Sequence, residues 1–224
     1  MATAYFDLET TGVDADAAIT VAVVKIVDTN EESYRIFHDG YGTTMTAATA
    51  DDVVALLAAV DVVYSYNGAA FDFRMLAAAS SDPAAAAKVC SRHRDVMLDF
   101  SATTGYYSAM NAWAADGATK TATGAWAATA WFTDEAPAVA EYCAADTDVL
   151  HTIVERGLSV GALARTAAAT GRVSVWVLTD AVDGRPRFRA AAESIAAARD
   201  SPPDTSWMDN PPDITAAMHW ARDL

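Results

Sequence analysis

Y-F-D-L-E-T-T-G, residues Tyr5 to Gly12, begins like a buried strand and ends with two carboxylates, Asp7 and Glu9. Side chains two apart on a strand share a face, so Asp7 and Glu9 project together while Phe6 and Leu8 turn the other way, toward a core. Adjacent anions repel, and a cation is expected between them. Taken alone, the pair would equally suit two solvated residues in a turn after a strand.

Around this stretch, residues 3–8 and 18–27 are rich in β-branched and aromatic residues with G-V-D-A-D between them, which predicts two antiparallel strands. Ser33–Phe37 adds a third. T-A-D-D-V-V-A-L-L-A-A-V has helical apolar spacing with Thr49 as N-cap, giving a helix over about 50–60. D-V-V-Y-S-Y-N (61–67) reads as a buried strand and F-D-F-R-M-L-A-A-A-S as the following helix. The Ala-rich middle, 82–134, is expected to be helical in short pieces broken by Gly105, Gly117 and Gly124. A-V-A-E-Y-C-A-A-D-T-D-V-L-H-T-I-V is an amphipathic helix expected to end at Gly157. A late strand (173–179), a basic turn G-R-P-R-F-R and a helix to about 199 follow. The Pro-rich stretch 201–213 reads as a loosely packed arm before a short terminal helix.

The chain has 224 residues, 15 basic and 30 acidic, for a net charge of -15. Such a charge opposes a polyanion at long range unless cations or a local basic patch intervene. Two cysteines, Cys90 and Cys143, are too few for a disulfide framework and read as small core residues. No signal-peptide or membrane-span pattern appears, so an intracellular reducing compartment, cytoplasm or nucleus, is expected.

Two further acidic positions join the first pair. Asp72 falls in the first turn of a helix that follows a buried strand, where open α/β sheets place ligands. Tyr142 and Asp146 lie one turn apart on one helix face. Each alone has a plainer reading: a helix-stabilising charge for Asp72, a side-chain hydrogen bond for Tyr142 and Asp146.

Together, F-D-L-E-T-T-G, Y-N-G-A-A-F-D and Y-C-A-A-D resemble, in order, the three motifs of the DEDD 3′–5′ exonucleases of the ribonuclease H-like superfamily. The resemblance covers residues 3–155, and the Tyr142–Asp146 spacing is similar to the tyrosine-bearing (DEDDy) subgroup. It implies an α/β fold: a mixed sheet of three antiparallel strands followed by parallel strands, flanked by helices. It implies a nuclease domain over 1–180, with 181–224 as an extension packed on it or trailing from it. The implied activity is hydrolysis of terminal phosphodiesters of DNA or RNA from the 3′ end, releasing 5′-mononucleotides.

The same resemblance implies Asp7, Glu9, Asp72 and Asp146 as ligands of two divalent cations, Mg²⁺ or Mn²⁺, with Asp7 bridging them. Carboxylate oxygens suit those ions, and His38, His93, His151 and His219 lack the paired spacing zinc would want. Tyr142 would position the attacking water. Thr10, Thr11 and Gly12 would approach the terminal sugar or base, and Asn67 would order the Asp72 turn or touch the terminal nucleotide. Cationic groove candidates are Arg74, Lys88, Arg92, His93, Arg94, Lys120, Arg185, Arg187 and Arg189, flanked by Phe188; Trp113, Trp126 and Trp131 are stacking or core candidates. The expected partner is a single-stranded DNA or RNA 3′ end, with a polymerase, helicase or other replication or repair protein as a further one. The competing readings are a catalytically inactive DEDD-fold module that binds nucleic acid or such a partner, another kind of metal-dependent nuclease or nucleotide hydrolase, and an acidic interaction protein.

Overall fold

The computed structural model describes all residues except 15, 30, 114–119, 167–170, 172, 179, 183, 210 and 223, together with the side chains of 180–182. Gly117 lies outside the described residues. The centre is a five-stranded sheet: β1 (Thr3–Thr10), β2 (Ile19–Asp28), β3 (Glu31–Phe37), β4 (Val62–Ser65) and β5 (Arg94–Asp95), ordered β3-β2-β1-β4-β5. β1 pairs antiparallel with β2, and β2 with β3; β1 pairs parallel with β4, and β4 with β5. This is the mixed sheet flanked by helices that the motifs implied.

β1 lies third of five, so both edges are hydrogen-bonded and its two faces are buried unequally. Phe6 and Leu8 enter the main core with Ala22 and Val24 of β2 and Phe73, while Asp7 and Glu9 point to the opposite face. The register shifts between Glu9 and Thr10. There β1 leaves the sheet, and Thr11 N–H closes the turn on Ala18 O at 2.9 Å.

Helices α1 (Ala47–Ala59), α2 (Asp72–Ala79), α3 (Pro83–Arg92) and α4 (Val96–Thr104) cover one side of the sheet and its parallel edge. α1 starts three residues earlier than its spacing predicts because Thr46, not Thr49, is the N-cap. Asp82 caps α3 with Pro83 at its first position, and Asp95 caps α4. α5 (Gly124–Ala130) and α6 (Ala136–Val160) lie over the other face. Their core joins Val21 and Val23 of β2 to Trp131, Val139 and Cys143, each large apolar side chain contributing about 1.5–3 kcal/mol by burial.

α6 does not end at Gly157. It runs to Val160 and stops at Gly161, whose φ of +75° is the left-handed conformation of a C-cap. Gly157 is a close-packing residue instead: a Cβ there would lie 3.0 Å from Phe188 Cζ. Three further strands were not expected. β6 (Ala162–Thr166) pairs with β7 (Val173–Val177), and β8 (Asp180–Val182) pairs with β9 (Arg185–Arg187), so the basic turn is part of a hairpin.

α7 (Ala191–Asp200) and two short 3₁₀ turns at 214–216 and 219–221 complete the chain. The arm between them is mostly exposed, touching the body at Thr205 and Pro203, where a Cβ on Gly105 would fall 2.5 Å from Thr205. Ala191, Ile195, Ala198, Ile214 and Ala217 are buried in the main core. Among the described residues, no helix is long and apolar enough to cross a membrane.

Candidate active site

The four carboxylates converge from three elements far apart in sequence. β1 delivers Asp7 and Glu9, the first residue of α2 delivers Asp72, and the buried face of α6 delivers Asp146. Glu9, Asp72 and Asp146 are buried, and Asp7 partly so. Ligand atoms of Asp7, Glu9 and Cys143 lie within 4.8 Å of one another.

Burying this much like charge raises the carboxyl groups together. Asp7 is pushed up to about 7, by burial first and by Asp146 next. Glu9 reaches about 9, again through burial and then Asp7. Asp72 rises through burial and Asp7, and Asp146 rises through burial against the opposing pull of Lys120. Each feels the others, so protons leave the cluster in shared steps rather than residue by residue.

One cation already enters the set. Lys120 Nζ pairs with Asp146 Oδ2 and donates to the Tyr142 hydroxyl at 3.4 Å. Burial acts against its charge, but Asp7 and Asp146 outweigh that and hold its ammonium above the usual lysine range. The single ammonium leaves the cluster short of cation. Asp72 Oδ1 and Asp146 Oδ1 are buried without a hydrogen-bond partner, a costly state for a carboxylate oxygen. Oxygen donors at this density, with orphaned lone pairs and elevated proton affinity, fit hard divalent cations such as Mg²⁺ or Mn²⁺.

Open space adjoins the site at Tyr142 and at Glu9. A cleft of about 710 Å³ is lined by Thr121, Thr123, Trp126, Glu141 and Tyr142. A groove of about 360 Å³ is lined by Leu8, Glu9, Thr10, Gly12, Phe71 and Gly124. Trp126 is fixed edge-on to Tyr142, ring centres 5.9 Å apart, and its Nε1 donates to Glu135 at 3.0 Å. Burial, then Asp146, raises the Tyr142 hydroxyl, which therefore stays protonated at neutral pH.

The structure brings Thr10 and Gly12 to the groove beside Glu9, as the sequence suggested. The Thr10 hydroxyl donates to Gly12 O at 2.5 Å and the Thr11 hydroxyl accepts from Ala18 N at 3.0 Å. Both are committed to shaping the turn. A Cβ on Gly12 would meet nothing within 4 Å, so that backbone faces free space. Asn67 is not in the groove. It adopts φ +69° and lines a smaller pocket beneath the turn, with Asp95, Tyr107 and Ile214.

The proposed cationic groove largely dissolves. Arg92 caps the end of α1 by donating to Leu57 O and Ala58 O at 2.8 and 3.0 Å. His93 is fully buried, its Nε2 2.9 Å from Ser65 Oγ. Arg94 and Arg187 pair with Glu193, and Arg189 with Asp99. Phe188, Trp113 and Trp131 are core, leaving Trp126 as the tryptophan of that trio at the cleft. Lys88 and Arg185 are exposed, and Arg74 sits 5.9 Å over the Phe71 ring.

Sequence reasoning missed Cys143, whose thiol lies 3.7 Å from Asp7 Oδ2. Its position three residues before Asp146 on α6 is the signal that places it on that face. It also missed Phe71 and Gly124 as walls; a Cβ on Gly124 would lie 3.9 Å from Glu9 Oε2.

The fold and site define a class. A family model for the RNase H superfamily matches residues 4–156, and the chain belongs to that superfamily. No curated protein matches it. Among solved structures, it is similar to the family B DNA polymerase of the hyperthermophilic archaeon Pyrobaculum calidifontis over 70% of this chain, with 13% identity and a TM-score of 0.51. The chain spans about a quarter (24%) of that polymerase, and at this identity the likeness concerns the fold.

Proposed function

We propose that this protein is a metal-dependent 3′–5′ exonuclease of the tyrosine-bearing DEDD type, acting on single-stranded DNA or RNA ends. The observation that carries the reading is the convergence of Asp7, Glu9, Asp72 and Asp146 into one buried cluster with orphaned oxygens, adjoined by open clefts at Tyr142 and at Glu9. In this reading residues 1–180 are the nuclease domain and 181–224 its extension.

Asp7, whose charge is felt by Glu9 and Asp72 and which itself feels Asp146, is the natural shared ligand. Glu9 and Asp146 complete one side and Asp72 the other. Two bound divalent cations would supply the Lewis acidity for attack of water on phosphorus and for departure of the sugar oxygen. The protein's own part is positional. Tyr142, protonated, orients a water by hydrogen bond, being too weak an acid to serve as its base near neutral pH. Lys120, held charged, can neutralise a phosphate oxygen or give up its place beside Asp146.

The net charge of -15 is compatible with this chemistry because a single-stranded end needs only a local site and a stacking surface such as Trp126. In this reading a polymerase, helicase or other replication or repair protein is the expected partner, as the resemblance of the motifs implies. The test is shortening of a 5′-labelled single-stranded oligonucleotide, DNA and RNA in parallel, with Mg²⁺ or Mn²⁺. Stepwise shortening, abolished by Asp7→Ala and by Asp146→Ala, is expected. No shortening of either substrate with either metal overturns the proposal.

A further inference from the structure

The turn that presents Asp72 is closed by its own backbone, Ala70 and Phe71 N–H donating to Asn67 O at 3.3 and 3.1 Å and Phe73 N–H to Gly68 O at 3.0 Å. α2 begins without a side-chain cap, its N-cap position being Phe71, and Asn67 is held in left-handed backbone at φ +69°, an uncommon state for a residue other than glycine. Groups outside the turn also hold it.

Two groups do so from opposite sides. The buried Asp95 carboxylate accepts Asn67 N–H and Ala69 N–H, both at 2.9 Å, and Leu98 N–H at 3.0 Å. Trp220 Nε1–H donates to Ala69 O at 2.9 Å. Ala69, three residues before Asp72, is thus pinned by its N–H from β5 and by its C=O from the last 3₁₀ turn. Trp220 is itself anchored, because Ile214 and Ala217 are buried in the main core and Trp220 packs against it. Asp213 caps the first 3₁₀ turn by accepting Ala216 N–H at 3.1 Å. A pocket of only about 130 Å³ separates the two segments, walled by Asn67, Ala70 and Asp95 on one side and Ile214 and Ala217 on the other.

Residues 214–220 lie beyond the family match, which ends at 156. We propose that they form a clamp that sets the position of the Asp72 carboxylate, with Trp220 as its positioning residue. This rests on the nuclease reading above. A ligand oxygen displaced by a fraction of an ångström loses much of its value to a metal, and loss of an outer partner costs about 10–100-fold in affinity. Exonuclease competence would then depend on a segment that contributes no ligand.

The test compares full-length wild type, Trp220→Phe, which keeps an aromatic ring and loses the N–H, and Ile195→Val, which trims the same core from α7 and removes no hydrogen bond. Hydrogen exchange of the metal-free proteins and calorimetric Mn²⁺ titration are the two readouts. Trp220→Phe is expected to speed exchange in residues 67–73 and to weaken Mn²⁺ binding about 10-fold, while Ile195→Val changes neither. Unchanged exchange at 67–73, unchanged Mn²⁺ affinity, or an equal loss in Ile195→Val overturns the clamp. A wild-type protein that binds no Mn²⁺ but still shows the exchange difference overturns the nuclease reading, and with it the clamp's purpose.

Discussion

Raising the pH from 6 to 9 in the presence of a chelator should weaken the fold substantially. Asp7 rises from 3.8 to about 7 and Glu9 from 4.5 to about 9 on folding. The native state therefore binds more protons than the unfolded chain, and stability falls as pH rises. The contribution is fully present below about pH 4 and is gone once pH passes the folded values. Each pH unit between a group's two values costs about 1.4 kcal/mol. Between pH 6 and 9 the coupled cluster as a whole should lose several kcal/mol, shared among its members rather than assigned to each. A typical domain has only about 5–15 kcal/mol to lose. Urea unfolding at fixed ionic strength, pH 6 to 9, measures it directly. Glu9→Gln should shrink the fall markedly, and saturating Mn²⁺ should flatten or reverse it, since metal replaces the protons. A wild-type stability that is flat across this range, or a Glu9→Gln curve parallel to wild type, would refute the picture of carboxylates crowded without enough cation.

Three other substitutions or conditions probe the same site. Gly68→Ala would put a Cβ 2.2 Å from Ser65 Oγ, and Ser65 is buried and held by His93; with Asp72 Oδ2 only 3.4 Å away, the variant should lose about 1–3 kcal/mol and most Mn²⁺ binding, as read by thermal unfolding with and without metal. Tyr142→Phe should lower the cleavage rate by about 100-fold while calorimetric Mn²⁺ affinity stays at the wild-type value; an unchanged rate removes Tyr142 from the chemistry. Lys120, paired with Asp146, and Arg74, over the Phe71 ring that lines the groove, are the two cations placed at the site among the described residues, so the log–log dependence of single-strand binding on salt should have a slope of about -1.4, two contacts' worth. A slope steeper than about -4 would mean an undetected basic track.

The fold was legible where a residue's neighbours in sequence are also its reasons. Phe6 and Leu8 alternate with Asp7 and Glu9 because β1 has one core face and one site face, and Tyr142 and Asp146 share a face because a helix repeats every 3.6 residues. β5 escaped notice because two residues, Arg94 and Asp95, pair with β4 on a scale no periodicity can register. Gly157 misled because a glycine serves both as a C-cap and as a gap for a neighbour, and Phe188, which fills that gap, is remote in sequence. Most cationic groove candidates failed for the same reason. Arg92, Arg94, Arg187 and Arg189 meet partners that only the folded chain supplies, and the role of Lys120 beside Asp146 is equally non-local.

The core that carries β1 is closed by Ala191, Ile195, Ala198, Ile214 and Ala217, all synthesised well after Asp146. A nascent chain will therefore have every acidic residue of the cluster before it has these last apolar residues of the core. Domains of this kind fold as units, and a chain interrupted near residue 160 carries the whole carboxylate set on a core that α1 to α3 already cover but that residues 191–217 have not completed. The order of synthesis thus puts completion of that core after completion of the carboxylate set.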